Sequence, residues 1–128
     1  MIHKALTERY GLEVPFVSAG MGFIALPPLA AAISNAGGFG QLACGAASPA
    51  FMHEMIAATR ERTSRPFGVN LIIETTMFGP WTTAEHIEVC AEQRVPAVVF
   101  FWTPHPAEWV RRLKKAGWHP APRIPNSN

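Results

Sequence analysis

Apolar runs of strand type alternate along this chain with stretches whose apolar positions recur at helical spacing. That alternation, at short intervals, predicts βα units around a parallel sheet, and four units can be counted. The first strand is expected over 15–18, running straight into Ala19-Gly20-Met21-Gly22. A helix follows over about 28–35, with Leu26, Leu29, Ala30 and Ile33 on one face and Gly37-Gly38 as its stop. The second strand, 39–43, ends in Cys44-Gly45. Ser48-Pro49 reads as the N-cap and first residue of a helix to about Arg62, with Phe51, Met52, Met55, Ile56 and Thr59 as its buried stripe.

The third strand, 67–73, carries the most continuous strand signal and is interrupted by one polar residue, Asn70. An amide buried without a partner costs about 1–3 kcal/mol, so Asn70 is a candidate site residue. Residues 74–81 read as a loop. Thr82 and Glu85 then have capping-box spacing for a helix with Ala84, Ile87 and Ala91 inward. The fourth strand, 97–101, exits through Trp102-Thr103-Pro104-His105-Pro106 into a helix to about Ala116, with Trp109, Val110 and Leu113 on one face. Glu108 and Arg112 have the favourable i,i+4 order, and Gly117 is the stop. A fifth strand is due next, yet Pro120, Pro122 and Pro125 exclude a central strand, and 118–128 reads as an irregular tail.

The chain has 128 residues, an ordinary size for one domain. All nine carboxylates are Glu, which excludes a Ser/His/Asp triad, an EF-hand loop and a paired-Asp site built from this chain alone. A net charge of +2 is too mild for a nucleic-acid partner, and the cluster Arg111, Arg112, Lys114 and Lys115 suits the end of a helix. Cys44 and Cys90 form neither a disulfide framework nor a metal set, and a reduced, cytoplasmic setting is expected. No membrane segment is expected, because the most apolar stretch, 19–33, falls short of the ~20 residues that span a bilayer.

Three blocks in order, Pro15-Phe16-Val17-Ser18-Ala19-Gly20-Met21-Gly22, then Leu29 through Gly40 with its Ser34-Asn35-Ala36-Gly37-Gly38-Phe39-Gly40 string, then Pro66-Phe67-Gly68-Val69-Asn70-Leu71, strongly resemble the amino-terminal half of nitronate monooxygenases, formerly called 2-nitropropane dioxygenases. The resemblance implies a TIM-type (βα)8 barrel that binds FMN at the carboxyl ends of its strands and oxidises alkyl nitronates with O2. Residues 1–117 would form the amino-terminal half of that barrel. Asn70 matches the family's flavin-contacting asparagine, and Ala19, Gly20 and Met21 match the segment lining the flavin ring; Gly45 matches less closely.

A (βα)8 barrel needs about 250 residues, so the expected fold is α/β, a partial barrel of about four βα units. The resemblance places the family's catalytic histidine base and flavin-phosphate loops in later strands, so no catalytic residue is assigned among these 128. The proline-rich tail, in turn, implies a truncated or frameshifted gene. His105 alone among the five histidines falls on the expected active-site side; His53 and His86 are expected on solvated helical faces. Trp81 and Trp102 fall in strand-exit loops, where they would pack the loop or line an apolar pocket. Two alternatives stand beside this reading: a non-catalytic half-barrel whose exposed sheet edges are covered in a homodimer, and a flavin enoyl reductase relative.

Overall fold

The computed structural model describes residues 3–120. Three strands, β1 (Gly40–Ala43), β2 (Phe67–Ile72) and β5 (Ala97–Phe101), form a parallel sheet in the order β1-β2-β5. The segment expected as a first strand contributes a single parallel bridge, Val17 to Phe39, on the other side of β1. Ser18 N–H donates to the Phe39 carbonyl at 3.0 Å and Phe39 N–H to the Phe16 carbonyl at 2.8 Å. Pro15 supplies no donor, and the glycines that follow leave the strand early.

Helices α2 (Pro27–Asn35), α3 (Pro49–Arg62), α4 (Ala84–Glu92) and α5 (Pro106–Lys115) accompany the sheet, and α1 (His3–Tyr10), which the apolar pattern does not announce, precedes it. The Tyr10 ring lies 4.6 Å from that of Phe39, which is buried. Side chains alternate across the sheet. Leu42, Val69 and Leu71 are fully buried on the helix side, together with Met52, Ile56 and Cys90. The register places Ala43, Asn70 and Val99 in one row of the opposite face, where Val99 is partly exposed and Phe101 stands half out.

Helix α2 turns a different face inward from the one its large residues mark. Its buried positions are Ala30, Ala31 and Ser34, while Leu26 is exposed. The cause is the contact with β1, where a Cβ on Gly40 would fall 2.0 Å from the Ala30 carbonyl oxygen. Only small residues permit that approach. Ser34 Oγ completes it, accepting from Gly40 N–H at 3.0 Å and donating to the Pro66 carbonyl at 2.9 Å. Gly37, with φ of 96°, ends the helix as expected.

Helix α3 is capped by Ser48, whose hydroxyl accepts from Phe51 N–H at 3.1 Å. Met52, Met55, Ile56 and Thr59 are buried as expected, but Phe51 is half exposed. The 74–81 segment is a small hairpin, β3 (Thr75–Thr76) with β4 (Gly79–Pro80), and its tip, Met77 and Phe78, is almost fully exposed. The cap of α4 lies one residue later than its spacing suggests. Thr83 is the N-cap and His86 the third helical residue, while Thr82 Oγ1 donates to the Ile72 carbonyl at 2.8 Å. That shift rotates the helix, so His86, Ile87 and Cys90 are inward and Ala84 is exposed. After α5, Gly117 takes φ of 97° and the Trp118 indole N–H donates to the Val95 carbonyl at 2.9 Å. The rest of the expected tail, 121–128, lies outside the described residues.

Candidate functional site

The carboxyl ends of the parallel strands open onto a pocket of about 320 Å³, within the usual range for a small-molecule site. Strand β2 supplies Asn70 and Ile72, the end of β1 supplies Ala43, and the β1–α3 connection supplies Gly45, Ala46 and Ala47. The segment between the Val17 bridge and α2 adds Gly20, Gly22, Phe23 and Leu26. Phe51 and Met55 come from α3, while Trp81 and Trp102 come from the exits of β4 and β5.

Two pairs of strand ends approach closely because glycine stands there. A Cβ on Gly20 would fall 2.5 Å from Asn70 Cβ, and one on Gly45 would fall 2.5 Å from Ile72 Cδ1. Gly22, by contrast, faces open space. Among the described residues the Asn70 carboxamide makes no hydrogen bond, although its backbone carbonyl accepts from Cys44 N–H at 3.0 Å. A free amide in an apolar pocket offers both a donor and an acceptor to whatever binds there.

Of the four residues expected to hold a cofactor, Gly20 and Asn70 are brought together in the pocket. Ala19 and Met21 flank it on the exposed side of the same loop. Met21 acts there through its carbonyl, which accepts from Ala25 N–H at 2.8 Å, and Ala25 in turn accepts from Ala43 N–H at 2.9 Å. Both Trp81 and Trp102 line the pocket. Phe23, Phe51 and Met55 are the large lining residues, beside Leu26 and Ile72, that sequence reasoning missed as pocket residues. Phe51 and Met55 look like ordinary core residues of a helical stripe, and Phe23 sits in a loop with no periodicity. One structural sign marks the rim: Phe23 and Trp102 both have φ of 62°, a left-handed conformation that costs a non-glycine residue about 1–2 kcal/mol.

Burial pushes the Cys44 thiol up to about 12, with the neighbouring Cys90 adding to the shift, so Cys44 stays protonated at neutral pH. His105 is exposed at the start of α5 and does not line the pocket. His86, expected on a solvated face, is instead buried, with its Nε2 2.8 Å from the Ala47 carbonyl. Among the described residues no group of three His, Cys or Glu side chains is placed to hold a metal ion, and no helix is long and apolar enough to cross a membrane. Beside the pocket, sharing Trp102, lies a more polar cleft of about 700 Å³ that includes Glu74, Thr75 and Arg112.

Residues 3–125 match the nitronate monooxygenase family. The (3aS,4S,5R,7aS)-5-hydroxy-7a-methyl-1-oxo-octahydro-1H-indene-4-carboxyl-CoA dehydrogenase of Rhodococcus jostii is 33% identical over 116 residues, which is 91% of this chain and 31% of that protein. A nitronate monooxygenase of Paraburkholderia phytofirmans is 38% identical over 68 residues, 53% of this chain and 19% of that protein. Among solved structures, FabK from Thermotoga maritima superposes with a TM-score of 0.75 at 36% identity, covering 88% of this chain and 34% of that one. The chain thus spans at most about a third of the length of these relatives.

Proposed function

Because the chain belongs to the nitronate monooxygenase family, we propose that it carries the ring-binding part of an FMN site in an oxidoreductase that oxidises alkyl nitronates with O2. The observation that carries the reading is the Asn70 carboxamide, unpartnered and held against Gly20 in an apolar pocket at the strand ends. The four parallel strand positions are then half of a (βα)8 barrel, whose ligand site lies at that end.

The residues present fit a flat heteroaromatic ring. Gly20, Gly22 and Gly45 leave backbone surface without side chains, Asn70 offers polar contacts to the ring edge, and Trp81, Trp102 and Phe51 exclude water. The chemistry a bound flavin supplies is transfer of electrons from the nitronate to O2. This chain's residues bind and orient. Asn70 fixes the ring edge, and the two tryptophans with Phe23 hold the alkyl part of the substrate. No histidine among the described residues lines the pocket, so none of them removes a proton there. A nitronate is already the deprotonated form of its nitroalkane, and its oxidation does not require that step.

A second reading keeps the flavin and changes the substrate to an acyl thioester. It is favoured by the polar cleft that joins the pocket at Trp102, and by a carboxyl-CoA dehydrogenase relative that matches 91% of the chain. One experiment serves both. Purified chain is titrated with FMN, followed by the visible absorption band, and then assayed for O2 uptake with propyl nitronate and, in a separate anaerobic assay with NAD(P)H as the electron donor, for reduction of a short enoyl-CoA. Binding with nitronate-dependent uptake supports the first reading, and binding with turnover of the thioester alone supports the second. Failure to perturb the FMN spectrum at any ratio removes both.

A further inference from the structure

One polar side chain behind the pocket, His86, has settled partners and ties the pocket's walls together. His86 is 3% exposed on α4. Its Nδ1 lies 3.0 Å from Thr83 N and 2.9 Å from Thr83 Oγ1, and its Nε2 lies 2.8 Å from the Ala47 carbonyl oxygen. The backbone N–H of Thr83 can only donate, so Nδ1 is the unprotonated, accepting nitrogen. The Ala47 carbonyl can only accept, so Nε2 carries the hydrogen. The two backbone partners therefore assign one tautomer, neutral and protonated at Nε2.

Each end of this bridge serves the pocket. Ala47 lines it from the β1–α3 connection, and Thr83 follows Trp81, which lines it from the other side. Thr82, between them, is anchored to the carbonyl of Ile72, a further lining residue.

We propose that His86 is a positioning residue for the cofactor pocket, a strut whose neutral imidazole sets the separation of the Gly45–Ala47 wall from the Trp81–Thr83 wall. The proposal rests on the reading of the pocket as the FMN site, and its test separates the two. In His86→Asn the side-chain oxygen still accepts from Thr83 N–H, keeping the helix cap, but is too short to reach Ala47. In His86→Gln the longer amide donates to the Ala47 carbonyl. Amide hydrogen exchange at 45–48, FMN affinity and thermal unfolding are measured on both variants and on the unaltered chain.

The expected result for His86→Asn is exchange at 45–48 accelerated roughly tenfold and FMN affinity lowered by a similar factor, with a lowered unfolding midpoint because the Ala47 carbonyl loses its buried donor. His86→Gln restores both towards the unaltered chain. Asn-variant exchange and affinity equal to those of the unaltered chain would overturn the proposal, as would losses shared equally by Asn and Gln. If FMN does not bind the unaltered chain, the functional reading fails while the exchange data still decide the strut. If neither variant folds, nitrogen NMR of the unaltered chain decides: a hydrogen on Nδ1 rejects the strut, and one on Nε2 supports it.

Discussion

Gly20 and Asn70 touch so closely that a methyl group on Gly20 would fall 2.5 Å from Asn70 Cβ and 3.1 Å from its side-chain nitrogen. The two residues stand 50 positions apart in sequence, at the ends of separate strand positions. Their contact aims an amide that has no other partner into the pocket. Gly20→Ala should therefore push Asn70 aside and lower FMN affinity by at least roughly tenfold, measured by quenching of flavin fluorescence. Asn70→Ala should do the same while leaving Gly20 unobstructed. Equal FMN affinity in all three proteins would show that this pair does not hold the ring.

Gly40 carries a different burden. A Cβ there meets the Ala30 backbone rather than a side chain, so no rotamer change can relieve it. Gly40→Ala should lower unfolding free energy by about 3 kcal/mol or more, read from urea denaturation, because α2 must move off β1. Ala30→Gly leaves that clash in place and should not rescue the variant.

Gln41 is buried on the face opposite the helices, and its Oε1 has no hydrogen-bond partner among the described residues. Its backbone N–H is satisfied by Ser18 Oγ at 3.0 Å. Replacing the side chain by an apolar one of similar length removes the unpaired oxygen. Gln41→Met should raise stability by about 1 kcal/mol in the isolated chain, again by denaturation. A loss of stability would instead show that the oxygen finds a partner in solution, such as a second copy covering this face.

The two cysteines make stability depend on pH at the alkaline end. Burial pushes both thiols up to about 12 from an ordinary value of 9.0, so the folded chain holds their protons where the unfolded chain releases them. Stability from this source is complete below pH 9 and is lost progressively between about 9 and 12, since the unfolded state binds fewer protons there. Cys44→Ala/Cys90→Ala should flatten that slope. Both thiols should also resist alkylation in the native chain at neutral pH and react on unfolding.

Much of this architecture could be read along the chain because it rests on local patterns. The strand at 97–101 and the Ser48 cap of α3 are where the sequence places them, and Gly37 and Gly117 end their helices. Asn70 stood out for a local reason too: it is the one polar residue in an otherwise apolar strand. Three misreadings share one cause. The inward face of α2, the exposed side of Phe51 and the burial of His86 were set by what each helix packs against, which periodicity does not encode. Thr82 and Thr83 are equally good caps by type, and the choice between them fell to the Ile72 carbonyl and the His86 ring.

The three strands of the parallel sheet with the helices that follow them, the glycine-flanked strand ends and the polar position at Asn70 were thus determined by sequence alone, because backbone propensity and side-chain alternation act between near neighbours. The pocket was decided by tertiary structure. Its walls come from Gly20, Ala47, Asn70 and Trp102, and their side chains meet only when parallel strands bring distant ends to one edge of the sheet. Which helix face turns inward, which amide is left free and which histidine is buried all follow from that assembly, since they depend on the shape of surfaces that no local stretch of chain contains.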